Sequence, residues 1–243
     1  MEETLVSVIR SRYEQVREKI DISARKAGRR PESIRLVVVS KTHPMEIVLA
    51  ALDAGVRDLG ENYAEEAVEK IKTVGDVDGL TWHMIGHIQS RKADLVAQNF
   101  DFVHSLDSLK LANRLERFAA EAGRKIPVLL ECNIAGELSK YGYPALDDAQ
   151  WQVLQTDVEQ IATLPHLEIR GLMTMPPIDL EAEESRYFFR RLRALQEYLA
   201  KRIPGVSWEE LSMGTSSDYA VAVEEGATLV RVGTAILGSR TAR

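Results

Sequence analysis

From residue 35 onward the chain switches repeatedly between two hydrophobic periods. Short apolar runs near 35–40, 56–60, 81–85, 101–105, 126–133, 167–173, 208–211 and 228–232 read as strands. Between them, 45–54, 62–73, 88–98, 107–122, 146–163, 181–202 and 216–225 carry apolar residues at helical spacing. Ahead of this alternation, Leu5, Val8, Ile9, Val16 and Ile20 predict one extra helix over 2–27, closed by Gly28 and Pro31. The run Leu36-Val37-Val38-Val39 does not alternate. A continuous β-branched run predicts a strand buried on both faces, as in a parallel sheet. Repeated strand-then-helix units mean parallel strands with crossover helices.

Eight such units in 243 residues have the size of a (β/α)8 TIM barrel, and no Pro-, Gly- or Ser-rich linker divides the chain. Residues 1–243 are therefore expected to form a single barrel domain. An open doubly wound sheet is the other candidate, but the Gly-x-Gly-x-x-Gly turn is missing after the first strand. The charged helix over 181–202 fits a solvated outer face.

A barrel places its chemistry at the carboxyl ends of the strands. Lys41 stands at such an end, in Ser40-Lys41-Thr42. Desolvation there favours the neutral amine, the form that attacks carbonyls. The competing reading is a lysine that caps a strand and extends to water. After the seventh strand, Gly214-Thr215-Ser216-Ser217 offers hydroxyls and amides where a helix begins, suited to an anion or to a simple N-cap. After the eighth, Gly233 and Thr234 supply a second small-residue turn on the same rim. Arg231, in Val230-Arg231-Val232, falls inside barrel wall. It is either half of a structural ion pair or a donor to a ligand's ring nitrogen, as in pyridoxal phosphate enzymes. Lys41 and the two turns together suggest a ligand with both a carbonyl and a phosphate.

The formal net charge of −6 argues against general nucleic-acid binding, and no apolar stretch approaches membrane-spanning length. One cysteine, Cys132, excludes an intramolecular disulfide and reads as a buried thiol. The N-terminus lacks an apolar signal core, so a cytoplasmic location is expected. His83 and His87 lie four apart, but Gly86 breaks the element between them, and no metal site is expected.

These residues match a known pattern. Ser40-Lys41-Thr42, Gly60-Glu61-Asn62-Tyr63, Trp82-His83-Met84-Ile85-Gly86 with Gln89, Gly171-Leu172-Met173-Thr174-Met175, Ser212-Met213-Gly214 with Ser216 and Asp218, and Val230-Arg231-Val232-Gly233-Thr234 resemble the YggS/PROSC family of pyridoxal phosphate homeostasis proteins. The resemblance runs from about residue 2 to 240. It implies the barrel of the alanine racemase N-terminal domain, fold type III. It implies that Lys41 carries pyridoxal 5'-phosphate (PLP) as a lysine aldimine. Ser212, Ser216, Gly233 and Thr234 would line the phosphate end, Arg231 would face the pyridine nitrogen, and Asn62 would lie near the ring. Met173 and His83 would be neighbours, and Lys140 matches a family lysine implicated in cofactor transfer. His87, Arg91 and Thr215 depart from the usual Pro, Asn and Met.

The implied function is a PLP-binding protein acting in intracellular PLP, vitamin B6 and amino-acid homeostasis, without catalytic residues of its own. PLP-dependent apo-enzymes are the implied recipients. An arginine at the ring nitrogen disfavours its protonation and weakens the electron sink. The chain reaches Arg243 just after the barrel, so the tyrosine-bearing β domain of alanine racemases is not expected, and a monomer is. The alternatives are a low-specificity PLP-dependent amino-acid racemase and a Schiff-base lyase acting on a sugar phosphate. Tyr63 and Tyr219 are read as packing residues.

Overall fold

The computed structural model describes residues 4–137 and 139–239. The first residues of the helix predicted over 2–27, Leu138, and both ends of the 1–243 span lie outside the described residues.

Eight strands form the barrel: β1 (Arg35–Val39), β2 (Asp58–Glu61), β3 (Thr81–Met84), β4 (Phe102–Leu106), β5 (Ile126–Asn133), β6 (Leu167–Met173), β7 (Glu210–Ser212) and β8 (Leu229–Val232). Each pairs in parallel with its sequence neighbours, and β8 pairs with β1 to close the ring, with Val37 opposite Arg231. A two-residue extension, Tyr143–Pro144, adds to the end of β5. The crossover helices are α2 (Met45–Asp53), α3 (Ala64–Val74), α4 (Ala93–Asn99), α5 (Leu109–Glu121), α6 (Asp148–Ile161), α7 (Ala182–Arg202) and α8 (Tyr219–Glu224), and a final turn, α9 (Thr234–Leu237), follows β8. None of the described helices is long and apolar enough to cross a membrane.

The extra helix, α1 (Leu5–Lys26), starts at a Thr4 cap whose side chain accepts from the Ser7 amide. It packs on α2, α8 and α9 and buries Ile9, Val16, Ile20 and Ala24. Since α8 and α9 are short, α1 supplies apolar cover for that side of the ring.

Strand residues alternate between two cores, as the pleat requires. One set, including Leu36, Val38, Leu59, Trp82, Val103 and Val230, packs outward under the helices. The other is a small cluster of Val37, Phe102, Leu129, Met173 and Leu229. The smaller cluster does not fill the barrel alone. His83, His104, Ser212 and Arg231 are buried with it, so this interior is partly polar.

Candidate functional site

Lys41 follows β1 in a turn that the rest of the chain holds tightly. The His43 amide donates to the Ser40 carbonyl at 3.1 Å. Thr42 sits at φ 62°, a left-handed conformation that a β-branched residue adopts only under constraint. The constraint is visible. The Thr42 amide donates to Glu66 Oε1 at 2.7 Å. From α3, the buried Lys70 ammonium contacts Glu61 at 2.7 Å, Glu66 at 2.8 Å and the Ser40 carbonyl at 2.8 Å. The Ser40 hydroxyl donates to the same Glu61 oxygen at 2.7 Å. Burial pushes the Glu61 carboxyl up, against the pull of Lys70. A buried carboxylate–ammonium cluster thus fixes the backbone on both sides of Lys41.

The turn opens onto a cavity of about 400 Å³ at the carboxyl end of the strands. Val39, Lys41 and Asn62 line one side, with Thr215, Ser216, Gly233 and Thr234 on its wall and Arg231 reaching it from β8. Met175 and Ile178 form an apolar lip. The volume falls in the range of small-ligand sites. The Gly233 amide donates to Ser216 Oγ at 3.3 Å, so the Ser216 hydroxyl keeps its own proton for a further acceptor. Asp218 Oδ1 accepts from the Thr215 amide at 2.6 Å and folds the loop. Gly214, at φ 93°, lies against α8, where an added Cβ would stand 2.6 Å from that of Ala222. On the opposite side, a Cβ on Gly86 would stand 2.4 Å from the Asn62 carbonyl oxygen, so only glycine lets the chain just after β3 pass this close to Asn62.

Arg231 is almost fully buried. It donates to Ser212 Oγ and, at 2.9 Å, to the Thr174 carbonyl. Burial lowers its pKa to about 10, opposed by Asp218 and Glu131, so it remains a cation at neutral pH. Ser212 Oγ also lies 2.8 Å from His104 Nδ1. His104 Nε2 lies 3.0 Å from His83 Nδ1, and His83 Nε2 lies 2.9 Å from Asp58 Oδ1 at the amino end of β2. Burial lowers the pKa of both histidines, with His104 well below the ordinary range and Asp58 opposing the shift at His83, and so favours neutral rings. Near the mouth, burial and the Asp107 carboxylate push Glu131 up to about 7, with Arg231 opposing.

The structure brings Lys41, Asn62, Ser216, Arg231, Gly233 and Thr234 to one cavity. It does not bring Met173 or Ser212 to its wall. Met173 is fully buried in the inner apolar cluster, and Ser212 is fully buried between His104 and Arg231. His83 is likewise inside the barrel. Arg231 has carboxylates nearby, but its direct hydrogen bonds here go to Ser212 and Thr174. Lys140 reaches across to the loop after β6, donating to the Pro176 carbonyl at 2.9 Å and pairing with Glu137 at 2.8 Å. His87, at the position of the usual family proline, pairs with Asp107 at 3.0 Å and stacks on Tyr141. Tyr219 is buried, as expected of a packing residue, but Tyr63 is 54% exposed. Sequence reasoning missed the lining roles of Val39, Ile85 and Ile178. Val39 was within reach, since it stands two residues beyond the inward Val37 on the same strand. Cys132 is buried, and burial raises its thiol pKa strongly, which suits an inert structural role.

Residues 12–241 match the family model described as alanine racemase, N-terminal domain. The pyridoxal phosphate homeostasis protein of Escherichia coli K12 is 40% identical over 228 residues, 93% of this chain and 94% of that protein. The structure of PipY from Synechococcus elongatus with PLP bound is 37% identical, with a TM-score of 0.81, and the match covers 95% of this chain and all of that one. An alanine racemase from Streptomyces coelicolor has a TM-score of 0.72 at 18% identity, covering 95% of this chain and 58% of that one, a likeness of fold alone.

Proposed function

The chain belongs to the pyridoxal phosphate homeostasis protein family, built on the alanine racemase N-terminal domain, and from that premise we propose that it binds PLP beside Lys41 and serves intracellular PLP and amino-acid homeostasis. The observation that carries this reading is one cavity of suitable volume lined by an amine, a hydroxyl-rich arc and a buried cation. Bound PLP supplies an electrophilic aldehyde carbon and an electron-withdrawing ring. The residues present fit those groups. Lys41 is the nucleophilic amine, held in place by the Glu61–Lys70–Glu66 cluster. Ser216 would donate its spare hydroxyl proton to phosphate oxygens, and Gly233 and Thr234 shape the same wall. Asn62, on the same cavity wall as Lys41, would lie beside the ring.

Arg231 carries donors and no acceptor, so it suits a ring nitrogen that bears no proton. That arrangement weakens the ring as an electron sink, and the reading is of a binder without dedicated turnover. We further assign release of the cofactor to PLP-dependent apo-enzymes, and a monomer as the working form. The apolar lip of Met175 and Ile178 leaves the cavity mouth open to such exchange.

The test uses purified protein incubated with PLP and then treated with borohydride. Intact mass rises by one reduced cofactor, and proteolysis places it on Lys41. Lys41→Ala abolishes the label while circular dichroism stays unchanged. Label retained by Lys41→Ala rejects the assignment. Racemisation of alanine no faster than with free PLP is the expected companion result, and a clear enzymatic rate would make this protein a racemase.

A further inference from the structure

The polar groups inside the barrel form a single file. In order they are Arg231, Ser212, His104, His83 and Asp58, contributed by β8, β7, β4, β3 and β2. The file crosses the barrel from the cavity wall to its amino end. There Asp58 faces Arg35 at 3.8 Å, and Arg35 in turn pairs with Glu210 at 3.3 Å. Phe102 packs against both imidazoles, with ring centroids 5.6 Å from His83 and 4.9 Å from His104.

With both rings neutral, its two ends determine the direction of every hydrogen bond between them. Arg231 only donates, so Ser212 Oγ accepts from it. Asp58, a carboxylate beside the Arg35 guanidinium, only accepts, so His83 Nε2 carries hydrogen. A neutral His83 then has a bare Nδ1, which must accept from His104 Nε2–H. His104 is left with a bare Nδ1, and the Ser212 hydroxyl proton fills it. The reverse order would set the bare His83 Nε2 against a carboxylate oxygen, two acceptors at hydrogen-bond distance. Burial favours neutral rings, and no other assignment of two neutral rings satisfies all four contacts.

We propose that Asp58, His83, His104 and Ser212 form a one-way donor chain that positions Arg231, holding its guanidinium so that its remaining N–H groups meet the ring nitrogen of the bound cofactor. The chain makes Ser212 a positioning residue rather than a phosphate ligand, because its single hydroxyl proton is committed to His104. His83 and His104 become positioning residues that touch no ligand. The inference rests on the PLP reading for what Arg231 recognises, but the polarity of the chain belongs to the protein alone.

Two measurements test it. The first needs no ligand. Nitrogen-15 NMR of the histidine side chains in the intact protein at neutral pH is expected to show both His83 and His104 as neutral Nε2–H tautomers. An Nδ1–H tautomer or a doubly protonated ring at either position overturns the chain. The second compares the affinity of PLP with that of the same phosphorylated aldehyde carrying carbon in place of the ring nitrogen. His104→Leu breaks the file, and Ser212→Ala breaks it with a smaller change. Each is expected to weaken PLP about tenfold, as the loss of one charge-assisted hydrogen bond predicts, and to leave the carbon analogue within about twofold. His104→Gln, whose amide accepts from Ser212 and donates to His83, is expected to restore PLP affinity. Equal weakening of both compounds, or no weakening of either, overturns the positioning role. Wild-type protein that binds neither compound rejects the cofactor reading and the role at the ring nitrogen with it, whereas the NMR result still decides the polarity.

Discussion

Glu131 shows how one side chain ties the site to stability. Among the described residues its Oε2 is buried without a hydrogen-bond partner, and the carboxyl is pushed up to about 7. Burial is the main cause, Asp107 adds to it, and Arg231 opposes it. The folded pKa lies above the ordinary carboxylate value, so the folded state binds the proton more tightly than the unfolded chain does. That stabilisation is complete below about pH 4.5 and is lost as pH rises through about 7. Glu131→Gln removes the ionisation and keeps the shape. We predict that the variant matches the parent near pH 4 and exceeds it at pH 8 by up to about 3 kcal/mol, or roughly 5–10 °C in melting midpoint. Melts of both proteins from pH 4 to 8 check this. A difference between them that does not change with pH rejects it. The residue could be read in sequence only as part of a strand, because its neighbour Asp107 comes from the end of a different strand.

At the scale of elements the sequence was highly legible. Every predicted strand lies within two residues of an observed barrel strand at both ends, since turn residues bound each run sharply. The segment expected as helix over 88–98 differs. Residues 87–89 form a loop, a 3-10 turn follows at Ser90–Lys92, and α4 begins only at Ala93. The short α9 was missed, since four residues are too few to show a period. The function of α1 was also beyond the sequence pattern, which shows that a helix has an apolar face but not what covers it. The structure packs that face on α2, α8 and α9, with Ile20 fully buried. We predict that Ile20→Ala costs about 2–5 kcal/mol, the range for a large-to-small change in a packed core, whereas Ile22→Ala, at a position 60% exposed on the same helix, changes stability by less than about 0.5 kcal/mol. Denaturant midpoints decide it. Equal small effects would mean that α1 is dispensable cover.

For the molecule as a whole, the site exists only when the ring is closed. Lys41 follows β1, Asn62 follows β2, Thr215 and Ser216 follow β7, Arg231 lies on β8 and Gly233 follows it. The strand pattern and its turns are sufficient to place Lys41 and both small-residue turns on one rim. They could not pair His83 with His104, or His104 with Ser212 across 108 residues, because such contacts depend on which inward positions share a level of the barrel. This dispersal has a thermodynamic consequence. Segments so far apart in sequence form no site in the unfolded chain, so a ligand held by them stabilises only the folded state. At a free concentration 100 times Kd the gain is about 2.7 kcal/mol, which for a chain of this size raises the melting midpoint by roughly 5–10 °C. Lys41 is half-buried on the cavity wall rather than packed in either core. Lys41→Ala is therefore expected to melt within about 2 °C of the parent without ligand, as a change outside the packed cores does. At the PLP concentration that saturates the parent, it is expected to gain less than half of the parent's shift. Melting curves of both proteins with and without PLP check the two halves separately. An equal shift in the variant means that the ligand is held without the lysine, and no shift in the parent means that this cavity is not where PLP binds.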